Sequence, residues 1–191
     1  MKDGSRVIIL DRDGVINEDS DAYIQSPQEW LPIPGSLEAI AQLYRAGYTI
    51  VVATNQSGVG RGYFDRATLE AIHRRMTTEI NRTGGALAGI FFCPHAPEEN
   101  CNCRKPATGL LEQIREELGL DLDGAWVVGD SLRDLQCAAS GGCRPALVLT
   151  GKGNATRAAG LPDELADTPL FTDLNEFART IAGNAQGEKQ T

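Results

Sequence analysis

The sequence predicts an α/β protein in which a parallel sheet carries helices on both faces. Short, continuously apolar runs alternate along the chain with segments of helical periodicity. Continuous apolar character is expected of strands that are covered on both faces, whereas strands with one wet face alternate. Strand–helix alternation then favours parallel pairing, because each helix carries the chain back to the same edge of the sheet. The length of 191 residues suits one domain of about 100–200 residues.

The individual elements follow from these two patterns. Five strands are predicted in chain order: Val7–Asp11, Thr49–Asn55, Gly89–Cys93, Ala125–Asp130 and Pro145–Thr150. Four helices are predicted from apolar residues three or four positions apart: Ser36–Ala46, Asp65–Thr83, Leu110–Leu118 and Ser131–Ser140. In the longest helix, Asp65 is suited to cap the start and Gly84 to end it. We expect His73 in this helix to be a surface residue, because it precedes Arg74 and Arg75.

Composition and charge indicate a cytoplasmic globular protein without a nucleic-acid or membrane partner. The chain has 18 Lys and Arg against 26 Asp and Glu, a net charge of −8, whereas nonspecific nucleic-acid binding requires clustered cations. No apolar run reaches the roughly 18 residues of a membrane-spanning helix, and the run at Val7–Leu10 is too short for a signal peptide. We expect residues 1–182 to form a single domain, residues 183–191 a disordered tail, and the chain a monomer.

Acidic side chains follow two of the predicted strands at the point where each strand ends. Asp11 and Asp13 follow the first strand, and Asp130 and Asp134 follow the fourth. Parallel strands place their carboxyl ends at one edge, where ligands bind in such sheets. A Mg²⁺ ion would neutralise the carboxylates, one of which could attack a phosphorus atom while another handles the leaving-group proton. The alternatives are a solvated turn after the first strand and helix capping by Asp130 or Ser131.

Polar and basic residues at the same predicted edge suit an anionic ligand. The second strand runs into hydroxyl and amide side chains that can donate to phosphate, at Thr54, Asn55, Gln56 and Ser57. Arg104 and Lys105 supply positive charge that an acidic protein otherwise lacks, Arg as a fork and Lys as a point charge. The alternatives are an ordinary polar loop and a solvated surface pair.

Three of the five cysteines crowd with a histidine into eleven residues. The CxH–x5–CxC arrangement consists of Cys93, His95, Cys101 and Cys103. Four such ligands can close a tetrahedral Zn²⁺ site, which would be structural because the protein fills every position. An odd number of cysteines does not suit a disulfide framework, and the alternative is a coincidental cluster with a buried thiol. We expect Cys137 and Cys143 to be small buried apolar side chains.

Together these motifs resemble the haloacid dehalogenase superfamily of phosphatases. The superfamily's four motifs stand in order: Asp11-x-Asp13, Thr54, Lys105, and the GDSxxD segment with Asp130 and Asp134. The resemblance implies a Rossmann-like sheet, a Mg²⁺ cofactor and an aspartyl-phosphate intermediate. It implies that Asp11 is the nucleophile, that Asp13 is the general acid and base, and that Thr54 and Lys105 bind the phosphoryl group. Mg²⁺ would be held by Asp11, the Asp13 carbonyl and Asp130, with Asp134 in support.

Over about Val7–Gly153, the chain is similar to the D-glycero-D-manno-heptose-1,7-bisphosphate 7-phosphatase family. The similarity lies in the segments DRDGVIN, TNQSG, CPH with CxCRKP, and GDSxxD. The resemblance implies zinc at the Cys/His cluster, a small loop cap that includes the zinc-binding loop, and a place in bacterial ADP-heptose and lipopolysaccharide core biosynthesis. It also implies substrate contacts from Asp19, Tyr23, Thr54, Asn55, Gln56, Ser57, Arg104 and Lys105. The second phosphate of a bisphosphate could be received by Arg104 or Arg61.

Two other functions are compatible with parts of the sequence. Histidinol-phosphate phosphatase shares the fold, the motifs and the zinc-type loop; SGVGRG after Asn55 favours the heptose family, whereas Asp19 and Asp21 could accept the amine of histidinol phosphate. A noncatalytic, zinc-stabilised interaction module would lack the nucleophile or the lysine, and Asp11 and Lys105 are both present.

Overall fold

The computed structural model describes residues 6–187 and shows a six-stranded sheet in which every pairing is parallel. The strands are β1 (Val7–Leu10), β2 (Thr49–Asn55), β3 (Gly89–Cys93), β4 (Trp126–Gly129), β5 (Arg144–Val148) and β6 (Leu170–Phe171). Their spatial order is β3-β2-β1-β4-β5-β6. Ile9 of β1 lies opposite Val51 of β2 and Val127 of β4. The predicted α/β class is confirmed.

Seven helices accompany the sheet in the described part of the chain. They are α1 (Ser36–Arg45), α2 (Ser57–Gly60), α3 (Arg66–Arg82), α4 (Gly109–Leu118), α5 (Leu132–Ser140), α6 (Gly153–Ala159) and α7 (Leu174–Gly187). Short 3-10 turns occupy Pro27–Glu29, Pro97–Glu99 and Asp163–Leu165. None of the helices within residues 6–187 combines the length and apolar character that crossing a bilayer requires.

Each face of the sheet carries its own apolar core. Successive side chains of a strand point to opposite faces. Ile8 and Leu10 of β1 therefore join one cluster, with apolar residues of α1, α3 and α7. Val7 and Ile9 join the other, with apolar residues of α4 and α5, including Cys137. This two-sided burial explains why the strands are apolar at every position.

Four elements were not predicted from the sequence: β6, α2, α6 and α7. β6 has only two residues, and α2 is a single turn inside a Gly-rich segment. The last helix did carry a signal, because Leu174, Phe177, Ala178 and Ile181 recur at helical spacing and are buried. Since α7 continues to Gly187, the predicted domain end at residue 182 lies inside a helix. Residues 188–191 of the predicted tail lie outside the described residues.

The prediction that His73 is a surface residue is wrong. His73 is 7% exposed, because it lies on the inner face of α3, four positions after Leu69 and three before Met76. The neighbouring Arg74 and Arg75 suggested an exposed position, although the spacing of His73 from Leu69 and Met76 indicates the buried face of the helix. The predicted N-cap is confirmed, since Asp65 accepts from the Thr68 amide at 2.8 Å.

Candidate active site

The carboxyl ends of β1, β2 and β4 border a polar cleft of about 390 Å³. Its walls include parts of the two long connections, residues 11–35 after β1 and residues 94–108 after β3. The sequence-predicted catalytic, magnesium and substrate residues all line it: Asp11, Asp13, Asp19, Tyr23, Thr54, Asn55, Gln56, Ser57, Arg104, Lys105, Asp130 and Asp134. A cleft at this edge is the usual ligand site of an open α/β sheet.

Three carboxylates, of which Asp130 and Asp134 are buried and Asp11 partly buried, form the floor of the cleft. Asp11, Asp130 and Asp134 each offer an oxygen within 4.8 Å of the others. Burial raises the pKa of Asp11 to about 6 although Lys105 opposes the shift, and Asp134 and Asp13 raise it further. Burial, with the charges of Asp11 and Asp134, raises the pKa of Asp130 to about 7. A divalent cation would relieve this repulsion, and a set of carboxylate oxygens fits Mg²⁺.

Lys105 places one positive charge among these carboxylates. Its Nζ lies 3.1 Å from Asp11 Oδ2 and 2.6 Å from Asp134 Oδ1, and it donates to the Ala53 carbonyl at 2.8 Å. Burial would lower the pKa of Lys105, but Asp11 and Asp134 outweigh it and hold the pKa above its ordinary value. The ammonium is therefore a fixed charge in the cleft.

Asn55 holds the backbone of this lysine. The Lys105 amide donates to Asn55 Oδ1 at 3.0 Å, and Asn55 Nδ2 donates to the Lys105 carbonyl at 3.1 Å. This reciprocal pair joins the end of β2 to the loop after β3. Asn55 is a predicted substrate contact, but in this structure both the oxygen and the nitrogen of its side-chain amide are hydrogen-bonded to the backbone of Lys105.

Asp13 sits in a dense set of donors. Arg12 donates to both of its carboxylate oxygens, and Asn17 and Gln56 donate to it at 2.9 and 2.8 Å. Burial would raise the pKa of Asp13, but Arg12 and the hydrogen bonds from Asn17 and Gln56 hold it below its ordinary value. Gln56 Nε2 also donates to Thr54 Oγ1 at 3.0 Å. Gln56, predicted to contact substrate, thus links two other residues of the site.

Asp134 both caps α5 and belongs to the site. Its Oδ2 accepts from the Ser131 amide at 3.1 Å and from Ser131 Oγ at 2.6 Å. Burial would raise the pKa of Asp134, but Lys105 and Ser131 lower it below its ordinary value. Ser131, one of the two residues of the helix-capping alternative, is the N-cap of α5, and its partner Asp134 lies in the cleft, so capping and the functional interpretation are compatible.

Glycines allow the backbone to approach Asp130 closely. A Cβ on Gly14 would lie 2.0 Å from Asp130 Oδ2, and one on Gly151 would lie 2.3 Å from the same atom. That oxygen accepts from the Lys152 amide at 2.8 Å. The position of Asp130 therefore depends on the absence of two side chains.

Gly14→Ala is expected to weaken the binding of Mg²⁺ at this cluster about tenfold, the low end of the loss when groups that orient metal ligands are changed. The reason is that the new methyl group displaces Asp130. Gly84→Ala is the matched control, since Gly84 has a φ of +85° against +80° for Gly14 and open space around its Cβ. Both should lose about 1 kcal/mol of stability to left-handed strain. Calorimetric titration of both variants with Mg²⁺ checks this, and equal Mg²⁺ affinity in the two variants would contradict it.

The four predicted zinc ligands converge at the loop after β3. Cys93 Sγ lies 3.5 Å from Cys101 Sγ, which lies 3.5 Å from Cys103 Sγ. His95 Nδ1 lies 3.6 Å from Cys93 Sγ and 3.3 Å from Cys103 Sγ. Tetrahedral Zn–S bonds of about 2.3 Å separate sulfurs by about 3.8 Å, so the cluster has the dimensions of a zinc site. All five cysteines are free thiols, and Cys137 and Cys143 are buried as expected.

The zinc-type loop forms part of the cleft wall. Pro97 and Arg104 of this loop line the cleft. The Gly60 amide at the end of α2 donates to the Pro94 carbonyl at 2.8 Å, and Arg61 lies 3.4 Å from Glu98. Closing this loop on a metal would therefore fix the wall that carries Arg104.

Sequence reasoning missed two cations in the cleft. Arg133, in the first turn of α5, and Lys152, after β5, both line it. Lys152 Nζ lies 2.9 Å from Asp19 Oδ2. Each residue follows the carboxyl end of a strand next to the site. The expectation that ligands bind at this edge of the sheet, which pointed to Asp130, therefore applied to both of them as well. Tyr23, the other predicted contact of the first loop, lies with its ring centroid 5.1 Å from that of Tyr63.

Comparison with known proteins gives concordant results. Residues 102–177 match a family described as HAD-hydrolase-like, and residues 6–135 match a polynucleotide kinase 3 phosphatase family. D-glycero-beta-D-manno-heptose-1,7-bisphosphate 7-phosphatase from Pseudomonas putida is 52% identical, over 92% of this chain and 99% of the relative. The same enzyme from Bordetella bronchiseptica is 55% identical, over 94% and 99%. The chain belongs to the D-glycero-beta-D-manno-heptose-1,7-bisphosphate 7-phosphatase family.

A solved structure of this family agrees with the fold. The D,D-heptose 1,7-bisphosphate phosphatase of B. bronchiseptica, complexed with magnesium and phosphate, superimposes with a TM-score of 0.88 at 51% identity, covering 93% of this chain and 98% of that one. The resemblance to the heptose-bisphosphate phosphatase family is therefore confirmed, together with the fold that it implied.

Proposed function

We propose that this chain hydrolyses the C7 phosphate of D-glycero-D-manno-heptose 1,7-bisphosphate with Mg²⁺ as cofactor. The observation that carries the proposal is the cluster of Asp11, Asp130 and Asp134, two of which, Asp11 and Asp134, are paired with Lys105. The chain is also about half identical to named heptose-bisphosphate phosphatases over nearly their whole length. A carboxylate nucleophile beside a fixed ammonium suits attack on a phosphate ester. The enzyme is a phosphoric monoester hydrolase.

The first step transfers the phosphoryl group to the protein. An Asp11 oxygen forms a bond to phosphorus, the bond from phosphorus to the C7 oxygen breaks, and Asp13 gives that oxygen a proton. The pKa of Asp13 is held low in the free protein, but the anionic phosphoryl group entering the cleft favours its protonated form. Lys105 and Thr54 hold the phosphoryl oxygens.

The second step releases phosphate. Asp13 takes a proton from water, the water oxygen bonds to phosphorus, and the bond between phosphorus and Asp11 breaks. Mg²⁺ would be held by Asp11, the Asp13 carbonyl and Asp130, with Asp134 in support. When bound, it neutralises charge on the phosphoryl oxygens and on the carboxylates.

Charge at the mouth of the cleft supports a bisphosphate over histidinol phosphate. Arg61, Arg104, Arg133 and Lys152 line the cleft in addition to Lys105. These cations suit a second anionic group, and Arg provides a fork for phosphate oxygens. Of the two carboxylates that could accept an amine, Asp19 is paired with Lys152 at 2.9 Å, which leaves the exposed Asp21 against the cations of the cleft. The charges that line the cleft therefore suit a sugar bisphosphate better than histidinol phosphate.

We also propose that Cys93, His95, Cys101 and Cys103 bind one structural Zn²⁺. Three thiolates and an imidazole are a common ligand set for closed zinc sites, and the spacing of the four atoms supports it. The metal would shape the cleft wall and take no part in the chemistry. Cytoplasmic location, a monomeric state and a role in lipopolysaccharide core biosynthesis stay predictions.

Phosphorus NMR of the products tests the proposed function. With Mg²⁺ and heptose 1,7-bisphosphate, we expect inorganic phosphate and heptose 1-phosphate, so that the anomeric phosphate signal persists while the C7 signal disappears. A reaction without added Mg²⁺ is the control. Release of the anomeric phosphate, or no release at all, would contradict the proposal.

A further inference from the structure

His73 makes a polar contact with the residue between the two catalytic aspartates. Its Nε2 lies 3.3 Å from Arg12 Nη1. Its ring also packs edge-on against Phe92, with centroids 5.6 Å apart. A guanidinium can only donate hydrogen bonds, so Nε2 must accept and the ring proton must reside on Nδ1. Burial, with the charge of Arg12, lowers the pKa of His73 to about 3 and keeps the ring neutral.

Arg12 connects this histidine to Asp13. The side chain of Arg12 is 1% exposed. Its Nε and Nη2 lie 3.1 and 2.9 Å from Asp13 Oδ1, and Nη2 lies 3.0 Å from Oδ2. Because the guanidinium is planar and rigid, the contact of Nη1 with His73 and the contacts of the other two nitrogens with Asp13 fix one orientation of the group.

Loss of the acceptor on His73 would disturb this arrangement. The Nη1 donor would be buried without its present acceptor, which is costly, and the guanidinium would turn towards another acceptor. Its contacts with Asp13 would change with it, whereas Asn17 and Gln56 would still donate to that carboxylate.

We propose that His73 is a positioning residue for the phosphatase reaction, acting through Arg12 on the carboxylate of Asp13. The inference rests on the proposed function, in which Asp13 gives a proton to the leaving oxygen. His73 itself transfers no proton and contacts no substrate.

Two variants of matched length separate the acceptor from the volume of the side chain. His73→Gln can present Oε1 to Arg12, whereas His73→Met has a similar size and no comparable acceptor. Each is assayed with heptose 1,7-bisphosphate, whose alkoxide leaving group needs a proton, and with p-nitrophenyl phosphate, whose leaving group does not. Thermal unfolding of both variants verifies that they are folded.

We expect His73→Met to lower kcat/KM for the sugar bisphosphate about tenfold, part of the roughly 10²–10⁴-fold contribution of general acid catalysis. Its kcat/KM for p-nitrophenyl phosphate should stay within about threefold of the parent, because kcat/KM covers the steps up to phosphoryl transfer and leaves out the later water step that both substrates share. His73→Gln should recover most of the kcat/KM for the sugar. Equal losses on both substrates, or equal behaviour of the two variants, would overturn the inference while parent turnover of the sugar bisphosphate keeps the proposed function. A parent inactive on the sugar overturns the proposed function itself.

A measurement on the unaltered protein covers the case in which a variant does not fold. The chain has two histidines, His73 and His95, so nitrogen NMR of the imidazoles can be assigned. We expect His73 to be neutral, with the proton on Nδ1, at neutral pH. A proton on Nε2 would exclude acceptance from Arg12 and overturn the inference.

Discussion

The Asp11→Asn variant is expected to lose phosphate release by about 10⁴-fold or more, the scale seen when a catalytic nucleophile is removed. Asn has nearly the same shape as Asp, but its amide cannot form the acyl-phosphate bond. Asp163→Asn, at an exposed position of the last 3-10 turn, is the control and should keep full activity. Phosphate release with Mg²⁺ in excess measures both. Substantial turnover by Asp11→Asn would exclude the covalent mechanism.

The same substitution should leave the fold intact. The pKa of Asp11 is raised in the folded protein, from 3.8 to about 6, so folding disfavours its ionised form. The cost in stability builds up as pH rises from about 4 and is complete above about pH 6. In Mg²⁺-free buffer at pH 7, removing this charge should therefore leave Tm equal to or above that of the parent. Lys105 keeps Asp134 as a partner at 2.6 Å. A clear drop in Tm would mean that Asp11 is a stabilising member of the cluster.

Removal of zinc is expected to destabilise the protein by about 3 kcal/mol, since a cross-link across a loop of some 10–15 residues is worth roughly this much. For a chain of this size that is about 6–12 °C in Tm. Activity should fall even with Mg²⁺ in excess, because the loop carries Arg104 and Pro97 in the cleft wall. Thermal unfolding before and after treatment with a strong zinc chelator measures the effect.

A pair of cysteine variants distinguishes zinc loss from loss of a thiol. Cys101→Ala removes one predicted ligand, whereas Cys143→Ala removes a buried thiol that donates to the Leu122 carbonyl, outside the cluster. Native mass spectrometry should find one zinc in the parent and in Cys143→Ala, and none tightly held in Cys101→Ala. A parent protein without zinc would refute the metal site.

The sequence predicted which side chains meet at the cleft where these side chains follow the ends of strands. Asp11, Thr54 and Asp130 stand just after or at the ends of apolar runs, and parallel pairing brings such ends to one edge. The same reasoning could have selected Lys152, had the end of the fifth strand been considered. The Cys/His cluster was predictable because its four residues are close together in the sequence.

Contacts between distant side chains were not predictable in this way. The ammonium of Lys105 lies between Asp11 and Asp134, a position set by the packing of three separate elements. Likewise, the burial of His73 depends on α3 lying over the residue that follows Asp11, and the adjacent arginines suggested the opposite. The two-residue strand β6 has too few side chains to show a periodic pattern.

The substrate of the enzyme is tested most directly by measuring kcat/KM for heptose 1,7-bisphosphate and for histidinol phosphate side by side, with Mg²⁺ and with Asp11→Asn as the blank. We expect a preference for the bisphosphate of about a hundredfold or more, which is about 2.7 kcal/mol of transition-state discrimination. A preference for histidinol phosphate would contradict the proposed substrate, while leaving the carboxylate cluster and its chemistry in place.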